Sequence, residues 1–297
     1  MPVSAKELGL SNRKNIGLGW LRELPDFRDY TINTPSIKEL LSMINFPKAA
    51  PVSVDLRAWC SPIEDQEELG SCTANAGVGL FEYFEKKASN TYIDASRLFL
   101  YKTTRNLMGE TGDTGAYLRT TAEAMLLFGV PPEKYYPYEI AGFDNEPAAF
   151  LYAFAGNFKA IEYYRYDPPG TPKATLLATI KKNLSAGLPA MFGFTVYSSI
   201  VQAANTGMIP FPSNGEKMLG GHAIDAVGYD DNKVITNTNN KKSTKGALLI
   251  RNSWGTSWGS NGYGWLPYDY VLSGLATDWW SLLKAAWVNT NVFGSGE

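Results

Sequence analysis

Three residues in this chain have side chains that could together perform nucleophilic catalysis with a thiol. Cys72 comes first, the single histidine, His222, lies 150 residues further along, and Asn252 follows another thirty residues later. A thiol reacts as its thiolate, which an imidazolium ion and the positive end of a helix both stabilise. The imidazole needs a third group that fixes its tautomer and orientation. These residues therefore indicate a thiol enzyme, against the structural alternative of a packed cysteine, a core histidine and a turn asparagine.

The segment after Cys72 predicts a helix that begins at or next to this residue. In TANAGVGLFEYFEKKAS the residues Ala74, Val78 and Phe81 recur at helical spacing, and two lysines fall in the last turn. The backbone N–H of Cys72 would then point out of the helix start, where it can donate to the oxyanion formed in acyl transfer. Gln66, six residues upstream, offers a side-chain amide as a second donor.

His222 and Asn252 belong to the β-rich second half of the chain. The runs PAMFGFTVY, GHAIDAVGYD and GALLIRNSWG are apolar, aromatic and β-branched, and turn-forming residues separate them. Neighbouring strands can bring the two side chains to the same end of a sheet. Further helices are predicted over 116–129 and 171–187, and a polar loop or hairpin over 230–246. The helix-rich first half and strand-rich second half predict an α+β fold with two lobes.

Three blocks of sequence, in order, resemble the papain-like cysteine peptidases. The blocks are VDLRAW with SPIEDQEELGSCTA, then GGHAIDAVGYD, then LLIRNSWGTSWGSNGYGWL, within 52–270. The polar insert over 231–245 and the aromatic C-terminal stretch DYVLSGLATDWWSLLKAAWV are similar to those of bacterial branches of that family. The resemblance implies a helical lobe and an antiparallel β-sheet or barrel lobe with the active-site cleft between them. It also implies that Cys72 is the nucleophile, His222 the general base and acid, Asn252 the residue that orients His222, and Gln66 the oxyanion donor.

The resemblance extends to supporting and substrate-binding residues. It implies that Trp254 shields the hydrogen bond between histidine and asparagine from water. The run GDTGAYL resembles the glycine turn that presents backbone to an extended substrate, and other matching positions would line the pocket for the second residue before the scissile bond. The residues implied as substrate contacts are Asp113, Thr114, Gly115, Tyr117, Gly193, Gly221 and Ala223.

The chain also departs from the family pattern. Thr73 stands where a tryptophan commonly follows the nucleophile, and Leu69 and Gly112 stand where many relatives have a pair of disulfide-bonded cysteines. The missing disulfide suggests stability from packing and tolerance of a reducing compartment. Cys60, the second cysteine of the chain, is interpreted as a small buried apolar residue.

We expect an N-terminal extension over 1–51, a catalytic domain over 52–290 and a tail over 291–297. Within the domain, the helical lobe would cover about 58–160 and the β lobe about 161–290. The extension is either a regulatory or pro-segment across the cleft or a segment that packs elsewhere. It contains an amphipathic helix, SIKELLSMINF, in which Ser36 could cap the start and Glu39 could close a capping box.

Composition excludes several other functions. The chain has 27 basic and 29 acidic residues and no basic block, which argues against binding to nucleic acid or to anionic membranes. Two cysteines and one histidine do not suggest a zinc site or a disulfide framework, and no metal or organic cofactor is expected. No long apolar run and no secretory signal are visible. We expect a monomer, and its location in the cell stays open.

Taken together, these patterns predict a cysteine endopeptidase that acts on polypeptides. Relatives that remove dipeptides from C-termini hold the substrate carboxylate with a histidine-bearing loop, and this chain has no second histidine. Two alternatives stay open: a catalytically silent papain-like binding protein and a cysteine acyltransferase. The N-terminal extension could also inhibit the enzyme by occupying its cleft.

Overall fold

The computed structural model describes residues 2–10, 15–159, 162–288, 290 and 292–293. Its α-helices are α1 (Pro35–Ser42), α2 (Cys72–Ser89), α3 (Arg97–Met108), α4 (Leu118–Leu127), α5 (Ala149–Ala155), α6 (Lys173–Ser185), α7 (Tyr268–Leu272) and α8 (Ala285–Val288). Its strands are β1 (Pro2–Ser4), β2 (Asn15–Gly17), β3 (Ser53–Asp55), β4 (Glu162–Arg165), β5 (Ala190–Tyr197), β6 (Met218–Thr236), β7 (Ser243–Arg251), β8 (Tyr263–Pro267) and β9 (Ala276–Leu283). Short 3₁₀ turns occur at Ala5–Leu8, Arg57–Trp59, Glu133–Tyr135, Ile140–Gly142 and Ser198–Ala203.

Seven of these strands form one antiparallel sheet. The strand order is β4-β9-β5-β6-β7-β8, and β3 pairs with β6 beside this path. In the register, Phe194 lies opposite His222, and Asp225 lies opposite Arg251. The α+β prediction is confirmed, and the described strands make an open sheet rather than a closed barrel. The polar insert after β6 is a hairpin, in which β6 continues to pair with β7 as far as Thr236 and Ser243.

The predicted helices are present as α2, α4 and α6, whereas α3 was not predicted from the sequence. Most of α3 is buried on all sides, including the charged residues Arg97, Lys102 and Arg105. Arg97 pairs with Glu133 at 2.7 Å, and Arg105 pairs with Asp144 at 2.6 Å. These cations lie in the interior because carboxylates from distant positions pair with them, and no local pattern of the sequence shows that pairing.

Helix α1 forms where the apolar spacing predicts it, but its predicted cap is wrong. Thr34 is the residue before the helix, Pro35 occupies the first turn, and no side chain caps the start. The hydroxyl of Ser36 instead donates to Glu162 Oε2 at 2.8 Å. A tertiary contact between residues far apart in the sequence has therefore replaced the local capping box. Ile37 and Leu40 are buried, as the amphipathic pattern predicts.

Two predicted boundaries lie partly outside the described residues. The expected change of lobe near 160–161 is one of them, and most of the expected tail at 291–297 is the other. Within the described ranges, no helix combines the length and the apolar character needed to cross a bilayer. The same ranges contain no group of three or more acidic, cysteine or histidine residues arranged to hold a metal ion.

Candidate active site

Cys72 is the first residue of α2 and is completely buried. The loop before it is held by side chains from elsewhere in the helical part of the chain. Asp113 accepts a hydrogen bond from the Gly70 N–H at 3.0 Å, and the hydroxyls of Ser71 and Tyr138 are 2.6 Å apart. These contacts fix the approach to the helix, and they place the Cys72 sulfur where the positive end of the helix dipole favours a thiolate.

His222, near the beginning of β6, comes together with Asn252 and Trp254, which follow the end of β7. His222 Nε2 lies 2.8 Å from Asn252 Oδ1. Because an amide oxygen can only accept a hydrogen bond, Nε2 carries the hydrogen and donates it, and in the neutral ring Nδ1 keeps its lone pair. Among the described residues Nδ1 has no hydrogen-bond partner. The Trp254 ring stacks on the imidazole, with the two centroids 4.7 Å apart. All three residues are buried, and the shielding role predicted for Trp254 stays a prediction.

Gln66 is held rigidly in the loop before α2. Its Oε1 accepts a hydrogen bond from the Ser253 hydroxyl at 2.6 Å, and its backbone N–H donates to the Ser253 carbonyl at 2.8 Å. Its Nε2 donates to the Leu69 carbonyl at 2.9 Å and to the Gly17 carbonyl at 2.8 Å. The side-chain amide is therefore oriented with one N–H directed at a carbonyl from the N-terminal part of the chain.

Residues 15–21 lie between the helical part and the sheet, next to these groups. Three backbone hydrogen bonds hold the segment on the helical side. The Gly17 N–H donates to the Glu67 carbonyl at 3.2 Å, and the Leu21 N–H donates to the Ala116 carbonyl at 3.0 Å. The Ala116 N–H in turn donates to the Gly19 carbonyl at 2.8 Å. On the sheet side the Trp20 N–H donates to the Gly221 carbonyl at 3.2 Å. We name residues 15–21 the cleft segment.

The ionisation of Cys72 and His222 is governed by burial in this arrangement. Burial raises the pKa of the Cys72 thiol to about 11, although the backbone N–H groups of Ala223, Gly19 and Thr73 partly offset the shift. Burial lowers the pKa of His222 to about 4, and the hydrogen bond to Asn252 opposes this only in part. With the cleft segment in place, both groups are therefore neutral near pH 7.

Three of the glycines expected to contact substrate lie directly against the cleft segment. A methyl group added at Gly193 would lie 1.8 Å from the Trp20 ring, and one at Gly221 would lie 2.7 Å from it. A methyl group added at Gly115 would lie 2.3 Å from the Gly19 carbonyl oxygen. Gly193, Gly221 and Gly115 therefore border the space that the cleft segment fills.

The other four residues expected to contact substrate bond to different parts of the protein. Asp113 supports the loop before α2 and also accepts from the Tyr101 hydroxyl at 2.6 Å. Thr114 bonds the Gly115 carbonyl at 3.1 Å, and Tyr117 is the residue before α4. Ala223 is buried beside Cys72. Their roles toward substrate stay predictions.

Four residues around the site were not found from the sequence. The glycine turn suggested that Gly115 would present its backbone, but Ala116 makes the backbone hydrogen bonds to Gly19 and Leu21. Ser253 orients Gln66 through its hydroxyl. Trp20 and Asp278 form a pair at the bottom of the space between helices and sheet, where the indole N–H donates to Asp278 Oδ2 at 3.1 Å. Only Ser253 had a usable signal, since it follows Asn252 directly; Trp20 and Asp278 lie too far apart in the chain for local reasoning.

Cys60, the second cysteine, packs in the hydrophobic core. It is buried, its sulfur lies 3.8 Å from the Leu56 carbonyl oxygen, and it forms no disulfide. Burial raises the pKa of its thiol to about 11. It begins no helix, which sets it apart from Cys72 and makes it a natural control for thiol chemistry.

Comparison with known proteins shows the family to which this chain belongs. The family described as papain family cysteine protease matches residues 50–279. The chain belongs to this family and is therefore a cysteine protease, a hydrolase that acts on polypeptides.

Two relatives show how far the similarity extends. The chain is 34% identical over 277 residues to a peptidase C1-like protein of Acanthamoeba polyphaga mimivirus, covering 88% of this chain and 85% of the relative. It is similar to the crystal structure of xylellain, a cysteine protease from Xylella fastidiosa, with a TM-score of 0.70, 31% identity, and coverage of 92% of this chain and 98% of that chain.

More distant members share the fold or the catalytic part. The chain is 31% identical over 222 residues to cathepsin K of Gallus gallus, a match that spans 72% of this chain but only 58% of cathepsin K. Bromelain from Ananas comosus superimposes with a TM-score of 0.57 at 20% identity, covering 78% of this chain and 98% of bromelain. The last likeness concerns the fold alone.

Proposed function

We propose that this protein is a cysteine endopeptidase in which Cys72, His222, Asn252 and Gln66 carry the catalysis. The observation that carries the proposal is the 2.8 Å hydrogen bond from His222 to Asn252 beneath the Trp254 ring. It leaves His222 Nδ1 without a partner among the described residues, and the backbone N–H of the next residue, Ala223, lies against the Cys72 thiol. An imidazole oriented in this way can take the thiol proton and return it to a leaving amine.

The reaction would proceed in two acyl-transfer steps. The Cys72 thiolate attacks the scissile carbonyl carbon, and the oxyanion accepts hydrogen bonds from the Gln66 side-chain amide and the Cys72 backbone N–H. His222 protonates the departing amine, and the peptide's N-terminal part stays on Cys72 as a thioester. A water molecule that gives its proton to His222 then hydrolyses this thioester. The single histidine of the chain supports internal cleavage rather than carboxydipeptidase activity.

We further propose that the cleft segment inhibits the enzyme. The Gly17 carbonyl accepts the Gln66 N–H that the oxyanion would need. The Gly19 N–H of the segment lies against the Cys72 thiol. Cys72 and His222 are both fully buried, and their pKa values of about 11 and about 4 disfavour the thiolate–imidazolium pair. Departure of the segment admits water and substrate, and both groups can then ionise.

The peptidase assignment is tested in the full chain carrying Gly19→Ala, a variant activated by displacement of the cleft segment. Peptides blocked at both ends are incubated with this variant and reductant and are analysed by mass spectrometry. Cys72→Ala should abolish internal cleavage, with a loss of about 1,000-fold or more, whereas Cys60→Ala should retain it. Transfer of the acyl group to an added amine, with no hydrolysis, would show an acyltransferase. Absence of turnover and of a Cys72 thioester in every activated variant would show a silent binding protein.

A further inference from the structure

Tyr138 places its hydroxyl group between the two ends of the loop that leads to the candidate nucleophile. The hydroxyl donates a hydrogen bond to the Gln66 carbonyl at 2.9 Å, and it lies 2.6 Å from the Ser71 hydroxyl. Gln66 carries the side-chain amide expected to bind the oxyanion, and Ser71 directly precedes Cys72, whose backbone N–H is the other expected donor. One oxygen atom therefore links the two halves of the candidate oxyanion site.

The hydrogen bonds through this hydroxyl have a defined direction. A phenol has one hydrogen, and Tyr138 gives it to the Gln66 carbonyl, so the Ser71 hydroxyl must donate to Tyr138. The Asn75 side-chain amide in turn donates to the Ser71 hydroxyl and to the Ser71 carbonyl, both at 3.1 Å. Burial raises the pKa of Tyr138, so the phenol keeps its proton at neutral pH. Three successive donors thereby join the first turn of α2 to Gln66.

A buried cation of α3 holds the ring of Tyr138 in place. The Arg97 guanidinium lies over the ring, 4.1 Å from its centroid, and this arginine is 6% exposed. Ion pairs with Glu64 at 2.9 Å and Glu133 at 2.7 Å fix the guanidinium, which also donates to the Asp65 carbonyl at 3.3 Å. A desolvated cation on an aromatic face attracts the ring. The position of the phenol oxygen is therefore set by the same part of the chain that it supports.

We propose that Tyr138 is a positioning residue that fixes the Gln66 amide relative to the Cys72 backbone N–H, so that both donors point at one oxyanion. The inference rests on the proposed peptidase function. Ser253 orients the Gln66 side chain, whereas Tyr138 holds the Gln66 backbone. Donors stabilise an oxyanion only from defined positions, so a shift of this loop weakens the transition state more than it weakens substrate binding.

The experiment introduces Tyr138→Phe into the full-length chain that carries Gly19→Ala, which serves as the active parent. Phenylalanine keeps the ring beneath Arg97 and removes only the oxygen. With a fluorogenic peptide amide and reductant, kcat should fall about tenfold and KM should change by less than about twofold. The loss is smaller than the roughly 100- to 1,000-fold cost of deleting an oxyanion donor, because Ser253 still holds the Gln66 side chain. An unchanged kcat would overturn the proposal.

Two comparisons separate positioning from a general loss of structure. Tyr136→Phe in the same parent removes a hydroxyl two residues away, which donates to the Asn145 carbonyl at 2.6 Å. It should leave kcat unchanged, and a fall equal to that of Tyr138→Phe would count against a specific role. Alkylation of Cys72 by iodoacetamide forms no oxyanion, so its rate should be the same in Tyr138→Phe and the parent. A fall in alkylation parallel to that in kcat would show that the phenol supports the helix start as a whole, and would overturn the assignment.

A double-mutant cycle tests whether Tyr138 acts through Gln66. Gln66→Ala removes the side-chain donor, so adding Tyr138→Phe to it should lower kcat by less than about twofold more. A further loss of about tenfold would refute the proposal. If the Gly19→Ala parent releases no leaving group, either to water or to an added amine, the proposed function fails and this inference falls with it. A parent that reacts and a Tyr138→Phe variant that equals it refute this inference alone.

Discussion

Gly19→Ala should displace the cleft segment and raise peptidase activity. The added methyl group would lie 1.8 Å from the Gly70 carbonyl oxygen, whereas real Cβ contacts essentially never come under 3.0 Å. The two groups must therefore separate by about 1.2 Å. Gly70 cannot readily move, because its N–H is held by Asp113 and it lies two residues before Cys72. Gly19 does not have the positive φ that disfavours alanine, so the effect is steric.

The magnitude follows from the cost of this overlap. Overpacking costs about 1–3 kcal/mol where neighbours adjust, and the upper end applies because the neighbour is tethered backbone. A loss of about 3 kcal/mol from the closed state multiplies the ratio of open to closed molecules by about 100. The rate of peptide hydrolysis should rise by this factor, or by less if the open state then becomes the majority.

The assay compares initial rates of the intact wild-type and variant chains on a fluorogenic peptide amide, with reductant present. Alkylation followed by mass spectrometry counts the molecules with accessible Cys72, which should increase in parallel. Gly142→Ala is the control, because its methyl group would meet only the flexible Asn145 side chain, at 3.1 Å. If Gly19→Ala is folded by thermal melting yet has the wild-type rate and the wild-type alkylation of Cys72, the cleft segment does not inhibit.

Two further perturbations test the site and its supporting core. Ser253→Ala removes the hydroxyl that donates to Gln66 Oε1 at 2.6 Å and orients its amide. In a chain activated by Gly19→Ala it should lower kcat about tenfold with little change in KM. An unchanged kcat would contradict the oxyanion role of Gln66. Burial raises the pKa of Glu82 from 4.5 to about 7, so the folded chain holds this proton more tightly and loses about 3 kcal/mol of stability as pH rises from 4.5 through 7. Urea denaturation should therefore show that Glu82→Gln is more stable than wild type at pH 8 but not at pH 4.5. If the free energy of unfolding differs between the two proteins by the same amount at both pH values, ionisation of the buried Glu82 does not destabilise the fold.

The regular elements that carry the candidate catalytic residues were predictable because their apolar residues follow a helical spacing or form continuous runs. The apolar spacing after Cys72 predicts α2, and the apolar runs around His222 and Asn252 predict β6 and β7, which pair as neighbours. Helix α3 escaped prediction because its buried charges are neutralised by residues far away in the sequence. The cap at Ser36 failed because the helix begins one residue earlier, at Pro35, and the Ser36 hydroxyl bonds to the distant Glu162.

The sequence by itself determined the family, through its cysteine, histidine and asparagine blocks, and the types of side chain available for catalysis. Only the tertiary structure decided what lies against them. Trp20 meets Asp278 across 258 positions of chain, and the Gly17 carbonyl reaches Gln66 across 49. Such contacts depend on how the N-terminal extension passes between helices and sheet, and no local propensity or periodicity encodes that path. Burial, and with it the shifted pKa values of Cys72 and His222, follows from the same long-range packing.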